Sequence, residues 1–156
     1  FFDVIMSKSS LHTIVALAQQ RMDSAAKKLS IFNSYLQAAE KKLALLEEYR
    51  NNYQIYLHNS MKQGIEHTQW YNFTTFMQKL ESAVDEQRQT VKLAENNRNT
   101  GRDEFQIYQR KLKSFEALLK RQQQAEVQQQ VKIEQKLMDE FATSNFIRNT
   151  IDPVDQ

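Results

Sequence analysis

Apolar residues recur along most of the chain with the alternating spacing of three and four that is typical of a coiled coil. The first series runs from Leu11 to Leu57, and Arg50 is its one charged member. The positions between are mostly Lys, Glu, Gln, Ser and Asn, which suits a solvated face. The pattern predicts a first helix over about residues 9–58, with Ser9 or Ser10 as its N-cap.

A turn is predicted over about residues 59–67, where the series stops and Gly64 follows Asn59 and Ser60. A second series then runs from Trp70 to Leu119. It predicts a helix over about residues 68–148, capped by Thr68, continuous through Gly101 and ending before Asp152 and Pro153.

Two such helices joined by a short turn lie antiparallel. The predicted fold is therefore all-α: a long antiparallel two-helix coiled coil, forming a single elongated domain over residues 1–156. The register predicted from the turn places Tyr53 opposite Phe73 and Ala25 opposite Gly101. Because the second helix is predicted to be longer, it should overhang the first from about Leu119 onward.

The predicted overhang begins with a polar stretch and then becomes apolar again. Residues 120–136 are polar on nearly every face, which fits either a solvated, Gln-rich helix or a segment held by a partner. The apolar residues that follow are Leu137, Met138, Phe141, Phe146 and Ile147.

The segment Gln69–Arg88 contains the only Trp and two apolar stripes where a simple coiled coil needs one. The inner stripe consists of Phe73, Met77, Leu80 and Val84. The outer stripe consists of Phe76, Leu80, Ala83 and Gln87. We predict that the inner stripe packs against the first helix and that the outer stripe meets a partner. The alternative is that both belong to one broad core stripe on a slightly unwound helix.

The composition narrows the class of protein further. The 156 residues include two Gly, one Pro and no Cys, so disulfides are excluded and a reducing compartment fits. A net charge of +2, from 21 basic and 19 acidic side chains, is too mild to indicate nucleic acid binding. No apolar run is long enough for a transmembrane helix. Met6–Ser10 resembles a natural start, so residues 1–5 are interpreted as an extension.

The sequence offers no pattern for catalysis. His12, His58 and His67 are far apart and form no metal-binding face, and phosphate loops and nucleophile elbows are absent. We expect no catalytic, cofactor-binding or metal-binding residues, and no enzyme activity. The remaining class of function is binding to a partner through the protein surface.

The chain resembles the FliJ family of flagellar type III export proteins. The segments that carry the resemblance are S-S-L-H-T-I-V-A-L-A at 9–18, E-E-Y-R-N-N-Y at 47–53, Q-W-Y-N-F-T-T-F-M-Q-K-L-E at 69–81 and Q-K-L-M-D-E-F-A at 135–142. The resemblance implies a cytoplasmic, non-catalytic component of the export apparatus, peripheral to the inner membrane through its partners. It also implies a coiled coil similar to the central stalk of rotary ATPases, with the export ATPase hexamer, the cytoplasmic linker of the export gate and export chaperones as partners.

The resemblance also implies two sets of binding residues. The export-gate set coincides with the outer stripe: Phe76, Leu80, Ala83 and Gln87. In the family that the chain resembles, the last position of this motif is His, whereas this chain has Gln87. The ATPase-ring set is Leu11, Ile14, Leu17, Lys136, Met138, Asp139 and Phe141.

Three other functions remain open on sequence grounds. One is the equivalent stalk of a virulence-type secretion system. Another is a structural spacer that dimerises through residues 120–148. A nucleic-acid-binding coiled coil is the third, and the near balance of charge argues against it.

Overall fold

The chain folds into two long helices, α1 (Lys8–Gln63) and α2 (His67–Ile151), in a computed structural model that describes residues 8–151. No strand occurs in that range. The fold-class prediction is confirmed: the chain is an all-α, antiparallel two-helix coiled coil whose second helix is the longer. The predictions about residues 1–5 and about Asp152 and Pro153 lie outside the described residues.

Contacts divide the described chain into two compact units. The first unit comprises residues 20–109 and contains the turn. The second comprises residues 8–19 together with residues 110–151. The single-domain prediction stays a prediction.

The turn spans only residues 64–66, fewer than predicted, because α1 continues through Met61, Lys62 and Gln63, which are good helix formers. Gly64 has a φ of +83° and donates its N–H to the Met61 carbonyl at 3.3 Å. A left-handed glycine just past the last helical residue ends a helix in this way, since it has no Cβ to clash.

The start of α2 differs from the prediction. The Trp70 N–H donates to the Glu66 carbonyl at 3.0 Å, so the first helical hydrogen bond begins at Glu66. Thr68 therefore lies inside the first turn and does not cap it. Ser9 and Ser10 likewise lie within α1.

The core of the first unit comes from the predicted series and consists of small and branched side chains. The buried apolar residues are Ala25, Leu36, Ala39, Leu80 and Val84, of which Val84 is fully buried. The pairing of Tyr53 with Phe73 is confirmed, since their ring centroids lie 5.9 Å apart.

The predicted pairing of Ala25 with Gly101 is wrong by about one helical turn. A Cβ placed on Gly101 would lie 2.8 Å from Cδ2 of Phe32 and 3.8 Å from the Leu29 Cα. The physical reason is space: the missing side chain leaves room into which the Phe32 ring packs. α2 is continuous through Gly101, as predicted.

In the second unit, the buried and half-buried residues of α2 all precede Gln123, and those of α1 lie opposite them in the coiled coil. Leu11, Ala18 and Leu112 are buried, and Phe115 and Leu119 are half-buried. From Gln123 to Ile151 every side chain is exposed. The predicted overhang is confirmed, and its exposed residues are all helical.

Candidate partner-binding surfaces

Five aromatic rings from both helices form a continuous cluster in the first unit, near the turn. The aromatic cluster consists of Tyr49, Tyr53 and Tyr56 of α1 with Phe73 and Phe76 of α2. Spacings of four and three place the three tyrosines along one side of α1. The Tyr53 ring lies 4.6 Å from that of Phe76, centroid to centroid.

Most ring pairs in the aromatic cluster meet edge to face. Tyr49 meets Phe76 at 6.3 Å and 77°, and Tyr56 meets Phe73 at 5.8 Å and 70°. This geometry brings the positive edge of one ring to the negative face of another. The contacts hold the tyrosine rings in defined positions at the surface.

The packing of the aromatic cluster affects the ionisation of its central tyrosine, Tyr53. Burial raises the pKa of the Tyr53 hydroxyl above its ordinary value, and the neighbouring Tyr49 and Tyr56 raise that pKa further. Since an unperturbed tyrosine ionises only near pH 10, the Tyr53 hydroxyl is neutral around pH 7.

The outer stripe divides into buried and accessible residues. Leu80 and Gln87 are only 7% and 6% exposed. Gln87 Nε2 donates to the Ala39 carbonyl of α1 at 3.0 Å, so this side chain ties the two helices together. Phe76 is 38% exposed and Ala83 is half-buried. The export-gate prediction stays a prediction, and the surface available for such contact consists of Phe76 and Ala83.

The residues predicted for the ATPase ring all lie in the second unit, with different degrees of exposure. Leu11 is buried, Ile14 is half-buried and Leu17 is exposed. The four residues on α2 are exposed: Lys136, Met138, Asp139 and Phe141. Helical spacing places Met138 and Phe141 on one face and Lys136 and Asp139 on another. This set also stays a prediction.

Sequence reasoning missed the contribution of α1 to the surface around Phe76. Tyr49 and Tyr56 lie outside the predicted apolar series, and both rings contact phenylalanines of α2. The signal available in the sequence was the clustering of three tyrosines at positions 49, 53 and 56, close to the aromatic block of α2.

Charged side chains link the helices at exposed positions. Lys28 pairs with Glu104 at 3.2 Å and Arg88 pairs with Glu47 at 3.1 Å across the helices, and Arg88 also pairs with Asp85 of its own helix at 3.3 Å. Exposed pairs of this kind contribute about 1 kcal/mol or less each. Within residues 8–151, no His, Asp and Glu side chains gather in a group able to hold a metal ion. Neither helix, over its described length, is apolar enough to cross a membrane.

Comparison with known proteins gives consistent matches along the chain. The family model described as "Flagellar FliJ protein" matches residues 7–150. The flagellar FliJ protein of Escherichia coli (strain K12) is 30% identical over 139 residues, which cover 89% of this chain and 95% of that protein. The flagellar FliJ protein of Salmonella typhi matches to the same extent.

A more distant relative matches over a shorter stretch. The flagellar FliJ protein of Buchnera aphidicola subsp. Schizaphis graminum (strain Sg) is 28% identical over 116 residues, covering 73% of this chain and 76% of that protein. The family match includes both described helices almost completely, together with the turn and the aromatic cluster.

Proposed function

The chain belongs to the flagellar FliJ family and is therefore a flagellar export component; we propose that it acts there as a non-catalytic stalk. In this proposal, the second unit binds the export ATPase hexamer and the aromatic side of the first unit contacts the cytoplasmic linker of the export gate. The protein also escorts export chaperones, and it is cytoplasmic, associated with the inner membrane only through its partners. The family match favours a flagellar system over a virulence-type one.

The observation that carries this proposal is the set of uncovered apolar side chains at the end of α2. Met138, Phe141 and Phe146 are each about two-thirds or more exposed, and Val127 and Val131 are exposed as well. Exposed apolar groups on this scale are unfavourable in water and mark interaction sites. The ATPase ring is the proposed cover for Met138 and Phe141, with Lys136 and Asp139 adding polar contacts on the adjoining face.

A two-helix stalk cannot make equal contacts with six equivalent subunits. Binding to a hexameric ring is therefore asymmetric, because one α2 face meets one or two subunits at a time. The proposed consequence is that the stalk biases ring assembly or the order in which subunits act. It thereby promotes ATP hydrolysis without contacting nucleotide.

Phe76 and Ala83 are proposed to contact the export gate directly. Leu80 and Gln87 support this contact indirectly, since their buried side chains hold this part of α2 against α1. Substitutions at these two buried positions should therefore lower helix stability as well as gate binding.

The proposal is tested by the turnover of the purified export ATPase with and without this protein. We expect turnover to rise with the wild-type chain and to lose most of that rise with Phe141→Asp. Leu93→Asp is the matched control, because Leu93 is 61% exposed on the same helix but lies in the first unit. No change in turnover at saturating wild-type protein would overturn the ATPase part of the proposal.

A second copy of the chain also fits the exposed apolar side chains of α2, and such a dimer would be a structural spacer. Light scattering distinguishes the two functions. A monomer that becomes part of a larger species only on adding the ATPase supports the stalk. A stable dimer that Phe141→Asp dissociates supports the spacer instead.

A further inference from the structure

The apolar residues between α1 and α2 repeat every seven positions, so by themselves they fit more than one register. A slip of α2 by one heptad exchanges each of its apolar seam residues for the next one along. The α1 side of the seam consists largely of leucine and alanine, which accept such exchanges. A slip would move α2 by about 10 Å along α1 and so change which of its residues are uncovered. The observed register is therefore distinguished by residues that interrupt the apolar repeat.

Gln87 is the first of these residues, and it lies in the seam with an exposed fraction of only 6%. Its Nε2 donates to the Ala39 carbonyl at 3.0 Å, and the small alanine side chain leaves the carbonyl accessible. A slip by one heptad would place Leu46 or Phe32 at the facing position instead. Either side chain is larger and would cover the main chain, so that the buried amide loses its acceptor. Because an unpaired buried amide is unfavourable, Gln87 disfavours both slipped registers.

Gly101 is the second, because a large ring of α1 packs directly against it. A Cβ on Gly101 would lie 2.8 Å from Cδ2 of Phe32, which is closer than two carbon atoms pack. A slip by one heptad would bring Tyr108 or Ala94 to this ring, and both of those residues have a Cβ. The space that the Phe32 ring fills beside α2 is therefore specific to the observed register.

The ion pair between Glu47 and Arg88 favours the same register. Their side chains meet across the helices at 3.1 Å. A slip in one direction would bring Glu81 to Glu47, and a slip in the other direction would bring Glu95. Attraction in the observed register would thus become repulsion in both slipped registers. Charges that flank a coiled-coil seam select pairing in this way.

The ion pair between Lys28 and Glu104 acts in the same sense. The two side chains meet across the helices at 3.2 Å. The same two slips would bring Asn97 or Lys111 to Lys28, which replaces the attraction with a neutral contact or with repulsion. Each exposed pair is weak, but both disfavour the same two alternatives.

We propose that Gln87, Gly101 and the two ion pairs form a register lock, which holds the two helices in one register against those one heptad away. A single buried polar residue can fix the register of a coiled coil at some cost in stability. The register lock determines how much of α2 remains uncovered by α1. This role requires no partner and is independent of the proposed function.

The experiment reads the register from crosslinks between introduced cysteines, since the chain has no cysteine of its own. Lys28→Cys with Glu104→Cys reports the observed register, and Lys28→Cys with Asn97→Cys or with Lys111→Cys reports the slipped registers. A short bis-maleimide is added to dilute protein, so that crosslinks form within one chain. We expect the observed-register pair to react about tenfold faster or more, the scale set by one buried hydrogen bond.

Two substitutions together should open the register lock. Gln87→Leu replaces the buried amide with an apolar side chain. Glu47→Arg repels Arg88 in the observed register and attracts a glutamate in either slipped one. In the double variant, a slipped-register pair should react at least as fast as the observed-register pair. The matched control combines Gln87→Leu with Glu48→Arg, which makes the same change of charge at the neighbouring exposed position and should still prefer the observed register.

Thermal melting separates the register lock from a contact that only stabilises the fold. Gln87→Leu should melt at or above the wild-type temperature while its crosslinking becomes less selective. The reason is that an apolar side chain in place of a buried polar one is neutral or stabilising, and the Ala39 carbonyl keeps its hydrogen bond within α1. Circular dichroism confirms that each variant is helical before it is crosslinked.

Three outcomes would overturn the inference. The first is equal reaction of all the cysteine pairs when Gln87 and Glu47 are unchanged, since the register would then not be fixed. The second is a preference for the observed register that neither Gln87→Leu alone nor the double variant reduces. The third is an equal loss of preference with Glu48→Arg and with Glu47→Arg, which would remove the ion pair to Arg88 from the register lock.

Discussion

Two regions of α2 contain similar residues, but only one of them has buried side chains. In residues 80–101, Leu80, Val84, Gln87 and Gly101 are all buried in the first unit, where α1 lies alongside. In residues 123–151 every side chain is exposed, although valine, leucine, isoleucine and phenylalanine all occur there. A glutamine is therefore buried in one region while a phenylalanine is exposed in the other.

The comparison shows that the opposite helix, rather than hydropathy, decides burial in this fold. Gln87 can be buried because the Ala39 carbonyl accepts its side-chain hydrogen bond. Phe141 and Phe146 stay exposed because, within residues 8–151, no second helix covers residues 123–151. Stability should therefore depend mainly on the first region, and the proposed contact with the ATPase ring on the second.

The largest expected effect contrasts two valines of α2, one from each region. Val84→Asp places a carboxylate in a fully buried site without a partner, which should lower the free energy of unfolding by about 3 kcal/mol or more. Val131→Asp at a 54% exposed site should change it by about 0.5 kcal/mol or less. Urea unfolding followed by circular dichroism measures both. Equal losses at the two sites would mean that residues 123–151 are covered in solution.

An intermediate effect is expected from a pair of glutamines. Gln87→Ala removes the hydrogen bond to Ala39 and leaves a small cavity, at a cost of about 1–2 kcal/mol in unfolding free energy. Gln123→Ala at an exposed site should be neutral or slightly stabilising, because alanine is the better helix former. Thermal unfolding of both variants provides the check. Stability that is unchanged in Gln87→Ala would remove Gln87 as a link between the helices.

Much of the fold follows from the sequence because a repeat of threes and fours has few other structural solutions. The series predicted both helices, their antiparallel pairing at Tyr53 and Phe73, and the exposed end of α2. The turn was predicted too long because Asn59 and Ser60 are typical turn residues, whereas the good helix formers Met61, Lys62 and Gln63 continue α1 as far as Gly64. The pairing at Gly101 depended on which large ring would fill the space beside it, and spacing contains no such information.

The candidate site could be predicted only in part, since the inner and outer stripes lie side by side on α2 and share Leu80. A pattern of this kind identifies Phe76 and Ala83 as edge positions. Whether Leu80 and Gln87 are accessible depends on how closely α1 approaches, and the structure places both in the core. The contribution of Tyr49 requires the contact between two helices, which a single stripe cannot indicate.

The smallest effect concerns Gly101, where helix propensity and packing act in opposite directions. On an exposed helix, replacing glycine by alanine stabilises by about 1 kcal/mol, so Ala125→Gly in the exposed region should cost about that much. At Gly101 the added Cβ would lie 2.8 Å from the Phe32 ring, so Gly101→Ala should give no gain or a loss of about 1 kcal/mol.

Combining Gly101→Ala with Phe32→Leu should recover the gain, because the smaller side chain leaves room for the methyl group. Calorimetric melting of the four proteins of this double-variant cycle measures the coupling. If Gly101→Ala alone stabilised the chain by the full amount expected from helix propensity, the Phe32 ring would have moved aside at no cost. The close packing of α1 on the first region of α2 would then not extend as far as Gly101.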